Sequence, residues 1–406
     1  MYNIIERNEY LNQIISWKDH DVIKVITGIR RSGKSFLLKE LFCDYLLKNN
    51  ITKEQIIILD LESVEYEQLR DYKKLYKYIK TKLIPNKKNY VILDEIQNVT
   101  DFEKALGSLY LDKNIDIYIT GSNSKMLSGD LATLLTGRYI KIEILPLSFL
   151  EYKSTLDYSI PVDKAFINYL KWGGFPYITA LRQNDSLCHQ YLDGIYNTLV
   201  KKDIISINRI DDVLILEDII KFIFSNIGSV ISPNKISSTL TSKGRKTSRP
   251  TVEKYLSYLL DSFMCYKVNR YDLKDKRYLS SLEKYYVTDI GLRNYLIGFK
   301  NLDYGRHILE NIVYLELKRR GYDIYIGKFD DLEVDFVAST YDDVYYIQVA
   351  HTITEKEVFD REMLPLSKIN DHHRKIILTT DYALTKTHNG IKIVNVYDWL
   401  LKEEDF

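Results

Sequence analysis

Between residues 20 and 145, short β-branched apolar runs alternate with segments of helical period. The runs are Val22–Thr27, Gln55–Leu61, Tyr90–Leu93, Ile115–Thr120 and Tyr139–Leu145. Strands alternating with helices in this rhythm predict a parallel sheet wrapped by helices. Ligands of such sheets bind beyond the carboxyl ends of the strands. Residues 150–205 read as helices interrupted at Trp172-Gly173-Gly174-Phe175-Pro176, where two glycines and a proline cannot continue a helix. Next come an apolar helix (Leu214–Ile227), a short helix after Pro233, a basic turn and an amphipathic helix (Thr251–Phe263). Two extended segments, Met264–Arg270 and Lys284–Val287, follow around a charged loop, and the whole order matches a winged helix-turn-helix. The remainder opens with a helix (Ile308–Arg320) and gives strands at Asp323–Gly327, Glu333–Ala338, Val344–Ala350 and Lys375–Thr379, a second and smaller α/β unit. Neither an internal repeat nor a low-complexity linker interrupts this order.

Composition narrows the picture. The 406 residues are too many for one compact core. With Lys+Arg 57 against Asp+Glu 56 there is no global polycation, so nucleic acid could bind only through a local patch. Cys43, Cys188 and Cys265 form no C-x-x-C pair, which argues against a disulfide framework or a zinc site and fits a reducing compartment. The start of the chain lacks a leader pattern and nowhere do 18 apolar residues run together, so a cytoplasmic protein with no membrane partner is expected. The 34 tyrosines carry no functional weight.

Gly28-Ile29-Arg30-Arg31-Ser32-Gly33-Lys34-Ser35 fits G-x-x-x-x-G-K-[ST], after a strand and before a helical stretch. Its glycines let backbone N–H groups face phosphate oxygens at a helix N-terminus. Lys34 is expected to bridge the β- and γ-phosphates of ATP, and Ser35 to hold Mg²⁺. Tyr90-Val91-Ile92-Leu93 would be a buried strand delivering Asp94 to the Mg²⁺ shell, with Glu95 next to it as general base. One further strand, Gln55–Leu61, separates loop and acid pair in the chain, as in additional-strand ATPases. Ser122 and Asn123, after the next strand, are both candidates to sense the γ-phosphate. Arg138, just before the strand Tyr139–Leu145, is read either as a finger reaching a neighbouring subunit's γ-phosphate or as an ordinary surface arginine.

These residues resemble a known family, the AAA+ ATPases of bacteria and archaea whose P-loop domain is joined to a C-terminal region of uncharacterised function. The resemblance rests on Gly28–Ser35, Asp94-Glu95-Ile96-Gln97, Thr120–Ser124, Gly137-Arg138, Leu145-Pro146-Leu147-Ser148-Phe149, Gly173-Gly174-Phe175-Pro176 and Glu333-Val334-Asp335-Phe336. It implies an α/β fold class: a P-loop additional-strand (AAA+) parallel sheet over 1–148, a helical lid over 149–205, a winged helix-turn-helix over 206–300 and a restriction-endonuclease-like α/β domain over 301–406. ATP hydrolysis and a homo-oligomer, expected as a hexameric ring, are also implied. DNA, branched or single-stranded, is the expected partner.

Lys243, Arg245, Lys246 and Arg249 precede the amphipathic helix, and Lys274, Lys276 and Arg277 lie in the wing loop, an arrangement that would suit groove docking. A winged helix used as a protein-protein module is the alternative. In the last segment Glu310 on a helix, Asp335 on a strand and Gln348 on the next follow a nuclease layout, but Ala350 stands where an active member carries lysine. Neither Lys318 nor His351 has a spacing that restores it. A degenerate domain kept for binding or assembly is therefore expected. The readings that follow are an ATP-driven DNA-remodelling machine, a nucleotide-dependent switch in a defence or signalling assembly, and an ATP-gated nuclease.

Overall fold

The computed structural model describes residues 4–127, 135–181, 184–299, 305–382, 387–404 and 406. The boundary expected at 300–301 lies outside them. Two compact units form, Met1–Pro146 with Asp261–Phe263, and Leu147–Leu260 with Met264–Phe406. The residues read as a lid thus fall within the second unit.

In the first unit the described helices are α1 (Asn8–Ser16), α2 (34–48), α3 (Tyr72–Lys82) and α4 (Phe102–Leu109). The strands are β1 (Ile23–Thr27), β2 (Ile56–Asp60), β3 (Asn89–Asp94), β4 (Ile115–Gly121) and β5 (Tyr139–Glu143). All pair in parallel, in the order β2-β3-β4-β1-β5. The strand between β1 and β3 in space is therefore β4, whereas β2, which lies between them in the chain, is at the edge. Alternation along the strands splits the core. Val25, Val91, Leu93 and Ile117 pack with Leu75, Ile79 and Leu106 on one face, and Ile26, Tyr90, Ile92 and Tyr118 pack with Ile14, Leu38 and Phe42 on the other. Within α2, residues Leu37–Phe42 form a π-helical turn, a local widening common at functional sites.

The second unit opens with α5 (Phe149–Ser154), α6 (Val162–Trp172), α7 (Pro176–Ala180), α8 (Asp185–Thr198) and α9 (Val213–Ser225). Then come β6 (Val230–Ile231), α10 (Pro233–Ser242), α11 (Arg249–Asp261), β7 (Cys265–Asp272), β8 (Arg277–Val287) and α12 (Ile290–Ile297). The terminal segment runs α13 (Arg306–Arg319), β9 (Asp323–Phe329), β10 (Leu332–Ser339), β11 (Val344–Ala350), α14 (Lys356–Lys368), β12 (Arg374–Thr379), β13 (Thr387–His388), β14 (Ile391–Asn395) and α15 (Val396–Leu400). One nine-stranded sheet, β13-β14-β12-β11-β10-β9-β7-β8-β6, passes through all of it. The ribbon β7–β8 and the terminal α/β segment are therefore continuous, because Arg270, Tyr271 and Asp272 pair in parallel with Ile326, Gly327 and Lys328.

The Gly-Gly-Phe-Pro segment has a packing reason. A Cβ on Gly173 would come 2.2 Å from Asp289 Oδ1, and one on Gly174 would come 2.5 Å from the Leu147 carbonyl oxygen. The Gly174 N–H donates to Asp289 Oδ2 at 2.7 Å, and Asp289 also caps α12 by accepting from the Leu292 N–H at 2.8 Å. Burial pushes the Asp289 carboxyl up to about 6 in spite of these donors. Among the described residues no helix is long and apolar enough to cross a membrane.

Candidate functional site

The phosphate-loop sequence forms the turn between β1 and α2. Gly28 has φ 135 and a Cβ there would lie 2.2 Å from the Ile144 carbonyl oxygen, so no other residue fits. Gly33, at φ 98, leads into α2. The Lys34 ammonium donates to the carbonyl oxygens of Gly28 and Ile29 at 2.9 and 3.0 Å, closing the loop on itself. Arg7 holds the loop from behind, its guanidinium donating to the Ser32 and Leu145 carbonyls at 2.7 and 2.8 Å. Ser32 Oγ is buried with no hydrogen-bond partner among the described residues, a polar atom that a phosphate oxygen would satisfy. Arg30 faces Glu62 at 3.3 Å, and Ile29 is buried.

Asp94 ends β3 and is buried. Its Oδ1 accepts from Ser35 Oγ at 3.0 Å and from the Thr120 hydroxyl, so the two residues expected to share Mg²⁺ are brought together. Glu95 follows in a left-handed conformation, φ 54, and its N–H donates to Thr120 Oγ1 at 2.9 Å. That turn aims its carboxylate at the residue that follows β4, Glu95 Oε2 accepting from Ser122 Oγ at 3.2 Å and also from the Gln97 amide in its own turn. Ser122 therefore touches the acid pair. Asn123 instead uses Oδ1 to accept from the Lys125 N–H at 2.8 Å. Arg138 is exposed, its guanidinium over the Tyr110 ring at 5.4 Å. Its carbonyl accepts from the Ile23 N–H at the amino end of β1, so it stands at the edge of the sheet opposite the loop.

Sequence reasoning missed Lys39 and Asp60. Asp60 ends β2 directly beside Asp94 in register. The Lys39 ammonium joins the two, at 2.8 Å from Asp60 Oδ2 and 2.6 Å from Asp94 Oδ2. Burial alone would lower the Lys39 ammonium, but its hydrogen bonds to Asp60 and Asp94 more than offset that and hold it raised. The signal was available in Leu59-Asp60, a strand ending in an acid as Leu93-Asp94 does.

In the second unit the basic candidates are largely engaged within the chain. Arg245 pairs with Asp218, Arg249 with Glu253 at 2.7 Å, Lys274 with Asp330 at 3.0 Å and Arg277 with Asp275 at 3.0 Å. Lys243, Lys246 and Lys276 are exposed.

The terminal candidates are all buried. Asp335 Oδ2 accepts from the Val349 N–H at 2.9 Å. The Gln348 amide oxygen accepts from the Asp335 N–H at 3.3 Å, while its nitrogen donates to Glu362 at 2.9 Å. Lys318 lies over the Tyr266 ring at 4.6 Å, and His351 is exposed. The lysine that does meet these acids is one the sequence did not single out. Lys284 of β8 places its ammonium 2.9 Å from Glu310 Oε1 and 2.8 Å from Glu333 Oε1, and Tyr286 donates to the same Glu310 oxygen. Burial alone would lower the ammonium, yet Glu310, Asp335 and Glu333 around it hold it well above the lysine range. Burial alone would raise Glu310, and Lys284 beside it holds it below the carboxylate range.

Comparison with known proteins follows these two regions. The model of an AAA domain matches residues 20–153, and that of a domain of unknown function matches 163–303. An uncharacterized protein of Haemophilus influenzae is 42% identical over 403 residues, covering 98% of this chain and 99% of its own. An uncharacterized protein of Methanocaldococcus jannaschii is 32% identical over 412 residues, covering 93% and 88%. Among solved structures, a Walker-type ATPase of Pyrococcus abyssi superposes with a TM-score of 0.52 at 17% identity, over 72% of this chain and 96% of that one, a likeness of fold. End-to-end similarity to the bacterial and archaeal relatives, with an AAA domain followed by a domain of unknown function, means that this chain belongs to their family, the P-loop AAA+ ATPases with a C-terminal region of unassigned role.

Proposed function

We propose that the chain hydrolyses Mg²⁺-bound ATP at the ends of β1, β3 and β4 and uses the cycle to remodel or move along DNA. The observation that carries the reading is the convergence of Lys34, Ser35, Asp94, Glu95 and Ser122 around one loop. The loop amides and Lys34 would hold the β- and γ-phosphates. Ser35 and Asp94 would hold Mg²⁺, whose charge supports the leaving phosphate oxygens. Glu95 would take the proton of the attacking water, with Ser122 reporting on the γ-phosphate. Arg138 lies too far from its own loop to serve it, which supports the reading of a finger acting on a neighbouring subunit of a ring, expected to be hexameric.

The order α9-β6-α10-α11-β7-β8, with β8 pairing antiparallel to both β6 and β7, supports a winged helix within 206–300. Helices over 149–205 would form the lid, and 301–406 a nuclease-like block. Three buried free cysteines fit a cytoplasmic setting. Because most wing cations already face acids of the same chain, a second reading is favoured alongside the first: a nucleotide-dependent switch whose second unit binds protein. ATP turnover with and without branched or single-stranded oligonucleotides, across a salt series, separates them. Stimulation that fades steeply with salt supports DNA work; turnover indifferent to every DNA structure leaves the switch.

A further inference from the structure

A nuclease-like reading of the terminal segment places a divalent cation among Glu310, Asp335 and Gln348, but the donor set found there does not fit one. Glu310 Oε1 is taken by Lys284 at 2.9 Å and by the Tyr286 hydroxyl, while its Oε2, buried without a hydrogen-bond partner among the described residues, has the His307 ring nitrogen at 3.4 Å. Gln348 turns its amide nitrogen to Glu362, and Asp335 accepts from the backbone of Val349. Among the described residues no three His, Cys, Asp or Glu side chains group so as to hold a metal ion. We propose that the Lys284 ammonium stands in for the metal ion, so that this block takes up no divalent cation, cleaves no phosphodiester, and uses the cluster to lock the ribbon β7–β8 onto β10 and α13.

The placement follows from strand geometry. Residues two apart on a strand share a face, so Lys284 and Tyr286 of β8 point one way, as do Glu333 and Asp335 of β10. Glu310 reaches them from α13. A fixed ammonium between Glu310 and Glu333 repels a second cation at the same oxygens, and in a buried site that repulsion is poorly screened. Access agrees with this, since Glu310 and Asp335 are both 0% exposed and a phosphodiester with its attacking water could not reach them. Lys284 is nearly as closed, at 3%. The inference concerns the second unit and stands whether or not the first hydrolyses ATP.

Mn²⁺ binding to the full-length, nucleotide-free chain, followed by electron paramagnetic resonance of the free ion, tests it. The variants are Glu310→Gln, Lys284→Ala and the two combined; any Mn²⁺ held near Asp94 is common to all and cancels. Wild type and Glu310→Gln are expected to bind equal amounts. Lys284→Ala should gain one ion per chain, lost again in the double variant. One more ion in wild type than in Glu310→Gln overturns the proposal, as does a folded Lys284→Ala that gains none. Should Lys284→Ala not fold, the wild type and Glu310→Gln pair decides alone. Plasmid cutting by wild type that Glu310→Gln abolishes would also overturn it.

Discussion

Lys39 and Lys284 each bridge two carboxylates, one at the strand ends of the first unit and the other inside the sheet of the second. Their surroundings differ. The Lys39 side chain keeps 22% of its exposure, with Asp60 at 43% and Asp94 at 4%, whereas Lys284 keeps 3%, with Glu310 at 0% and Glu333 at 32%. Where water reaches the ions, a partner can leave and be replaced by a metal ion or a phosphate at modest cost. Where it does not, the ions depend wholly on one another, and the pair acts as structure. The same chemical grouping thus gives an exchangeable site in one unit and a sealed one in the other.

The largest effect should be catalytic and confined to the open site. Glu95→Gln is expected to lower kcat for ATP by about 10²–10⁴-fold, with nucleotide affinity near that of wild type, because the amide keeps its shape but accepts no proton. Steady-state phosphate release and equilibrium binding of a fluorescent nucleotide check both halves. An unchanged kcat would remove Glu95 from the mechanism and leave the open site a binding site alone. Next in size is stability in the sealed site. Lys284→Ala leaves the fully buried Glu310 uncompensated and should cost about 3–5 kcal/mol, while Lys39→Ala, whose buried partner Asp94 keeps the hydroxyl donors of Ser35 and Thr120, should cost about 1 kcal/mol. Urea unfolding reads them separately, since Trp17 reports on the first unit and Trp172 and Trp399 on the second. Equal costs would erase the distinction between the lysines.

Acid should find the sealed cluster too. Glu310 is held below its ordinary value, so the unfolded chain takes up its proton at a higher pH than the native one. The stability it contributes is complete above about pH 4.5, its unperturbed range, and is lost as pH falls through the lower native value. The groups facing it are Lys284 and Tyr286 from β8 and His307 on its own helix, and Glu333 and Asp335 of β10 act on that lysine and tyrosine. In that window the wild type should lose at most about 1.4 kcal/mol per pH unit more than Glu310→Gln, the limit for one proton. Parallel urea midpoints between pH 5 and 3 measure the difference. Identical slopes would mean that Glu310 titrates alike in the folded and unfolded chain, and a wild type that instead gains stability on acidification relative to Glu310→Gln would mean that Glu310 is uncharged in the folded protein.

The phosphate loop and Asp94-Glu95 were legible because their chemistry is contiguous: a strand, a glycine turn and a helix start, or a strand and the acids that end it. Lys39 lies four residues after Ser35 and so on the same helix face, but what that face meets depends on the strand order that brings Asp60 beside Asp94. Lys284 was illegible for a different reason. Its partners arrive from α13 and β10, later in the chain, and only the pairing of β7 with β9 brings them to β8. Reading β11 for a lysine searched the right sheet along the wrong strand. Asp60 was nearer to hand, since register alone places it beside Asp94 once the strand order is known.

The smallest effect concerns the lysine that does exchange. Lys39 holds Asp94 Oδ2 while Ser35 holds Oδ1, so if Asp94 serves Mg²⁺ the ammonium and the metal compete for one oxygen. Lys39→Met keeps the length of the stem and removes the competitor; half-saturating Mg²⁺ at fixed ATP should fall by about 3–10-fold, the scale of one partly screened charge at contact. Asp60→Asn works in the other direction. It takes away the second carboxylate, leaves Lys39 to Asp94 alone and should raise the Mg²⁺ requirement by a similar factor. Opposite signs in the two variants are what competition demands. If Lys39→Met also raised the requirement, Lys39 would be orienting Asp94 rather than contesting it, and the open site would hold its lysine for the same reason as the sealed one.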